Sequence, residues 1–371
     1  MTKRIVFLDF VRVFACFLVI LVHASENFYP GPNATDMAGP QSFIACEADR
    51  FWVSVYDGFS RMAVPLFMIV SAYLLVPMKE SMSATDFYRK RAKRILPAFI
   101  LFLVIYSTLP MLWGQISTEN AINDLIHLPF NFPSLAGHLW FMYPLIGLYL
   151  FIPIISPWLS KAKASEERMF ITLFLISTCM PYLNRFIGEV WGQCFWNEFH
   201  MLWNFSGFLG YLVLAHYIKA HLTWNNTKRI IIGSSLMLIG AIWTILSFYI
   251  QAVPGVIHDT PTIELGWAFC TINCVMLTTG TFLLFSCIKL QRTPHLIAEI
   301  SNLSYGIYLM HILWLGFWTK IFKLQMELTS DVCIPAIAIA TFISCYITAK
   351  IIALIPILRW TLGLPTKKAE P

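Results

Sequence analysis

Long apolar runs, separated by short basic or proline-rich segments, set the pattern of this chain. A window of about 19 residues finds ten stretches long enough to cross a bilayer. They lie at roughly 5–25, 52–76, 92–113, 138–159, 169–187, 201–220, 229–251, 264–288, 303–322 and 332–357. The fifth, broken by Pro181, and the ninth carry the weakest signal. No segment alternates with the period of two that a barrel strand shows. The pattern therefore predicts an all-α, polytopic membrane bundle of about ten transmembrane helices. It reads as one domain, with a core over 5–358 and a short basic tail over 359–371.

Composition strengthens this reading. Hydrophobic residues make up 58% of the chain and charged residues 12%, against about 25% charged in an ordinary soluble domain. Too few polar residues remain to coat a soluble core of this size, so lipid must cover much of the surface. With the N-terminus inside, ten spans put both termini inside. Every inner segment is then basic, including Lys3, Arg4, the run Arg89–Arg94, Arg359, Lys367 and Lys368. The outer side keeps only Arg50, Arg61, Arg185, Lys320 and Lys323, and Arg12 and Lys350 fall within spans. This bias predicts cytoplasmic termini in a plasma membrane, the inner membrane of a bacterium. The net charge of +6 thus follows from topology and implies no nucleic-acid partner.

The first span carries Asp9 and Arg12 and lacks a small-residue cleavage site, so it is not expected to be a removed signal peptide. Nine cysteines are scattered without the paired spacing of a zinc or redox site, and no metal ligand set is read. Cys46 and Cys194 could both face outward and pair; buried free thiols are the alternative. No internal repeat is visible, which weighs against a transporter. The outer segments 26–51, with Pro30-Gly31-Pro32-Asn33, and 114–137 are long enough to cover or bind something.

Polar groups inside the spans are the candidates for chemistry, because ionisable residues there usually face a cavity or one another. Arg12 and His23 are eleven residues apart, about three helical turns, and so share a face with Asp9 one turn below Arg12. His23 lies about 16 Å further along the axis. The alternative is an Asp9–Arg12 ion pair with an interfacial histidine. Glu26 follows one turn later and either orients the imidazole or is an exposed loop acid. In the basic run, Arg91 and Arg94 share a face at a helix start, which suits phosphate, although the run also serves as an orientation signal. Taken singly, Ser71-Ala72-Tyr73, His138-Leu139-Trp140-Phe141 with Tyr149, and Ser304–His311 read as packing or interfacial aromatics.

Together these strings resemble the acyltransferase-3 family of integral membrane acyltransferases. Arg12 and His23 match its Arg-x10-His motif, and Asp9 the acid that commonly precedes it. Ser71-Ala72-Tyr73 is similar to its Ser-Gly-Phe/Tyr element, and Arg91-x-x-Arg94 to its Arg-x-x-Arg. His138-Leu-Trp-Phe matches its fourth-span opening, and Ser304-Tyr-Gly-Ile-Tyr-Leu-Met-His311 its Ser-x-Gly-Ile-Tyr-x-x-His. The matches fall in family order over roughly 5–315. The string around Ser60–Leu75 is similar to the enterobacterial common antigen O-acetyltransferase branch. Ala72 in place of glycine, and Phe10-Val-Arg12-Val in place of Gly-Leu-Arg-Gly, depart from the pattern and bear on substrate subtype.

The resemblance implies acyl transfer, as O-acetylation, from cytosolic acetyl-CoA or another acyl-CoA to a surface carbohydrate or its lipid-linked precursor. The acyl-CoA would be a co-substrate, with no permanently bound cofactor. Arg91, Arg94 and Ser71 would hold the donor. His23 would act as general base or transient acyl acceptor, with Arg12 and Asp9 completing the catalytic set. Glu26, His138, Trp140, Tyr149, Tyr305 and His311 are expected on the acceptor side; for Trp140 and Tyr149 packing is the alternative. Two other classes remain open: a glycolipid transporter or flippase using Asp9, Arg12 and His23 for ion coupling, and a structural subunit indifferent to His23. The acceptor sugar and the oligomeric state are not legible.

Overall fold

The computed structural model describes residues 4–30 and 39–365. Lys3, Gly31, Pro32, Asn33, Lys367 and Lys368, which entered the sequence reading, lie outside the described residues. The protein is 73% helical. In chain order the helices are α1 (Val6–Glu26), α2 (Glu47–Ser60), α3 (Ala63–Leu75), α4 (Ala84–Thr108), α5 (Thr118–His127), α6 (Met142–Leu159) and α7 (Ala164–Ser177). They continue with α8 (Met180–Phe186), α9 (Phe208–Ala220), α10 (Asn226–Gln251), α11 (Thr260–Ile263), α12 (Ile272–Phe285), α13 (His295–Thr319) and α14 (Ser330–Leu354).

Among the described residues nine helical segments are long and apolar enough to cross a membrane. They correspond to nine of the ten expected stretches. The exception is 201–220, where only α9 is helical, over 13 residues. At 1.5 Å per residue it rises about 20 Å, short of the roughly 30 Å of a hydrocarbon core. Gly207, at φ +72°, starts it late by holding a backbone turn that residues with a Cβ rarely adopt.

Local chemistry accounts for the breaks. Pro65 has no N–H to return to the carbonyl of Arg61, so the second span bends at Arg61-Met62 between α2 and α3. Ser83 accepts a bond from Asp86 N at 3.0 Å and starts α4 beside the basic run. At α1's far end the sequence pattern missed a small antiparallel ribbon. Strand β1 (Gln41–Phe43) pairs with β2 (Ile257–Asp259) in the register Ser42 opposite His258, and Ser42 and Thr260 hydroxyls meet at 2.6 Å. It ties the loop after α1 to the loop after α10.

Helix α1 is the hub, packed on α2, α3, α12, α13 and α14. Its polar side chains are therefore enclosed by protein rather than lipid, as intramembrane ionisable groups require. Where α10 crosses α12, Gly240 and Gly280 let the backbones meet. The segment after α14 is no free tail: Pro356–Leu362 turns back and buries Leu362. Cys46 and Cys194 are free thiols.

Candidate active site

Three arginines without counter-ions converge on one cavity at the end of the bundle where α1 begins. Arg12, Arg91 and Arg94 line a space of about 190 Å³ together with Ser71, Tyr149, Asn302, Tyr305 and Tyr308. Among the described residues none of the three makes an ion pair, and Arg91 Nε is buried with no hydrogen-bond partner. A wider depression of about 790 Å³ shares Arg94 and Asn302 with it and adds Lys90, Lys93, Lys350 and Arg359. Guanidinium groups without ion-pair partners over a partly apolar cavity suit an anionic ligand with an apolar portion, the anion supplying the missing charge and hydrogen bonds.

Asp9 stands apart from this set. The sequence reading offered it as a partner of Arg12 or as a catalytic acid. In place of an ion pair with Arg12, its carboxylate is bound by Arg4 at 2.5 and 2.9 Å, Thr293 at 2.8 Å and Ser301 at 2.7 Å. It is 3% exposed and does not line the cavity. Those bonds fasten α1 to the start of α13, so Asp9 sets the helix register that aims Arg12.

About three turns further along α1, His23 meets two other histidines. Its ring stacks on His311 with centroids 5.2 Å apart, and His138 lies edge-on to His311 at 5.0 Å. His23 Nδ1 is 2.6 Å from Glu26 Oε2. Glu26 is buried, which removes the exposed-acid alternative and makes it the group that orients the imidazole. With Nδ1–H directed at that carboxylate, Nε2 of His23 is left to act as a base. His311 Nδ1 is 2.6 Å from Tyr308 O, while Nε2 of both His138 and His311 is buried without a partner. Orphaned polar atoms of this kind invite a ligand's hydroxyl or carbonyl.

Tyr308 joins the two levels. It lines the arginine cavity, its ring stands 5.9 Å from that of His311, and its hydroxyl donates to His138 O at 2.7 Å. It was in the quoted string, one turn before His311, yet was not singled out. Tyr106, edge-on to His138 at 4.9 Å, had no sequence signal beyond being an aromatic in a span. The expected acceptor residues divide: Glu26, His138 and His311 gather at His23, whereas Tyr149 and Tyr305 line the arginine cavity. Trp140 joins neither and stacks on Phe269 at 5.3 Å.

Arg61 was expected on the outer side. There it is buried within the bundle at 5% exposure, beside Tyr29 just past the far end of α1. Its Nε is 2.6 Å from Asp57 Oδ1, and its guanidinium sits 4.3 Å over Trp267. The Tyr29 hydroxyl, with one proton to donate, lies 2.9 Å from Asp57 and 3.0 Å from Glu264, and Arg61 reaches Glu264 at 3.4 Å. Burial pushes the Glu264 carboxyl up, against the pull of Arg61. The i, i+4 spacing of Asp57 and Arg61 within an apolar run was the available signal.

Comparison with known proteins agrees with this geometry. The acyltransferase-3 family model, described as an acyltransferase domain, matches residues 5–354. No curated protein and no solved structure matches the chain. A match over nearly the whole length includes both the arginine cavity and the histidine cluster. The chain belongs to the acyltransferase-3 family and is a membrane acyltransferase.

Proposed function

We propose that the protein is an O-acetyltransferase that carries an acetyl group from acetyl-CoA to a hydroxyl of a cell-surface carbohydrate or its lipid-linked precursor. The observation that carries this reading is the pairing of two dissimilar sites on α1, an unpaired arginine cavity at one end and a Glu26-oriented histidine at the other. The phosphates of the donor suit Arg91, Arg94 and the basic depression beside them, and Arg12 stands on the way inward. Ser71, Tyr149 and Tyr305 border the same cavity, and Tyr308 leads to the histidines.

At the histidine end, His23 takes the proton from the acceptor hydroxyl as its oxygen attacks the thioester carbonyl. The C–O bond forms, the C–S bond breaks, and His23 returns the proton to the departing thiolate. Glu26 stabilises the transient imidazolium. His138 and His311 offer their free ring nitrogens to the acceptor. The basic inner segments support cytoplasmic termini in a bacterial inner membrane, with the arginine cavity open to the cytosol. The Ser60–Leu75 string favours the enterobacterial common antigen branch.

The test is label transfer. Purified protein in nanodiscs receives acetyl-labelled CoA and an extract of lipid-linked glycans. The reading expects free CoA and labelled glycan with wild type, and neither with His23→Ala. Passage of glycolipid without CoA release would contradict it and favour a flippase.

A further inference from the structure

Away from this site, Glu167, His216 and His221 form a compact group of donors. Glu167 lies in the first turn of α7, His216 near the end of α9, and His221 just beyond that helix. The three donor atoms all lie within 4.8 Å of one another. His216 Nδ1 is 2.9 Å and His221 Nε2 3.0 Å from the same oxygen, Glu167 Oε1. Glu167 is 0% exposed, and its other oxygen, Oε2, is buried with no partner. Among the described residues no lysine or arginine pairs with it. Lys219, on the intervening turn, donates instead to Val76 O at 3.0 Å.

We propose that Glu167, His216 and His221 bind a divalent transition-metal ion such as Zn²⁺. Two imidazoles and a carboxylate are a known zinc donor set, with bonds of about 2.0–2.2 Å. Tetrahedral geometry puts donor atoms about 3.4 Å apart, so the two imidazole nitrogens, now 2.9 and 3.0 Å from Glu167 Oε1, must draw back by about half an ångström to admit the ion. Each neutral imidazole gives up the N–H that faces Glu167 and takes a proton on its outward nitrogen, a change of tautomer that frees the inward lone pair for the ion with no net proton released. The ion also engages Oε2, alone or through a water molecule, and satisfies the oxygen that hydrogen bonding leaves bare. It would clamp the end of α9, too short to be held by lipid at both faces, onto α7. Because α9 packs on α3, which supplies Ser71 and Leu74 to the arginine cavity, the clamp supports that wall. The proposal does not depend on the identity of the acyl donor.

The experiment uses full-length, tag-free protein in nanodiscs, stripped with a chelator and titrated with ZnCl₂ or CoCl₂. Wild type should take up about one zinc per chain, show the intense visible absorption of tetrahedral cobalt, and gain thermal stability with zinc. Glu167→Gln, nearly isosteric, and His221→Ala, on the most accessible donor, should each weaken zinc binding on the order of a hundredfold. Lys219→Ala should retain it. Size-exclusion profiles separate lost binding from misfolding. Wild type that binds no more zinc than Glu167→Gln, or gives only the pale octahedral cobalt spectrum, would overturn the proposal.

Discussion

Buried charge is the feature that individual residues explain best. Asp57 is 0% exposed and meets Arg61 inside the bundle. Removing one member of such a pair leaves the other uncompensated in a low-dielectric setting. Arg61→Met should therefore destabilise the protein by about 3–5 kcal/mol, read as a lower unfolding midpoint in nanodiscs. Asp57→Asn/Arg61→Met should recover part of the loss, because the stranded carboxylate is gone; equal loss in single and double variants would refute the pairing. At this scale the sequence was partly legible. The Arg12–His23 spacing placed two groups on one helix face, and the fold sets Arg12 in the arginine cavity and His23 against His311. Asp9 was placed beside Arg12 by helix spacing and in the catalytic set by resemblance, but only the fold shows that Arg4, Thr293 and Ser301 bind it. Partners hundreds of residues away leave no mark on local periodicity.

Helices were legible because membrane spans are long, and a 19-residue apolar run leaves few alternatives. The exceptions each have a local cause: Gly207 delays α9, Pro65 bends the second span, and the β1–β2 ribbon is too short to show a period. Helix contacts were less legible, since one small residue looks like another in sequence. Gly240 shows the difference. A Cβ there would lie 2.5 Å from Leu277 N and 2.7 Å from Asn273 O on α12, whereas one at Gly147 of α6 would meet nothing within 4 Å. Gly240→Ala should accordingly lower stability by about 1–3 kcal/mol through overpacking. Gly147→Ala should be neutral or gain up to about 1 kcal/mol from helix propensity. Paired thermal-shift measurements check both, and equal effects would contradict the close α10–α12 crossing.

Across the whole molecule, α1 links a basic cavity to a histidine cluster, and the proposed orientation puts the basic end in the cytosol. Cys46, free and exposed near the histidine end of α1, offers a check on that orientation. A membrane-impermeant maleimide should modify it in intact cells, with the label lost in Cys46→Ser; labelling that needs permeabilised cells would invert the topology. Sequence resemblance named many of the residues that line the two clusters, but neither their grouping nor Tyr106 and Tyr308, and it included Trp140, which lies in neither. Tyr149 and Tyr305 moved to the arginine cavity, and Tyr308 emerged between the levels, because grouping depends on how α4, α6 and α13 pack around α1. The central claim is that the two ends do different work, and steady-state kinetics with acetyl-CoA tests it most directly. Arg91→Ala and Arg94→Ala should raise KM for the donor about tenfold to a hundredfold with kcat little changed. His23→Ala should lower kcat by roughly 10²–10⁴-fold with donor KM nearly unchanged. If His23→Ala instead raised KM alone, or the arginine variants lowered kcat without affecting KM, the division of labour along α1 would be wrong.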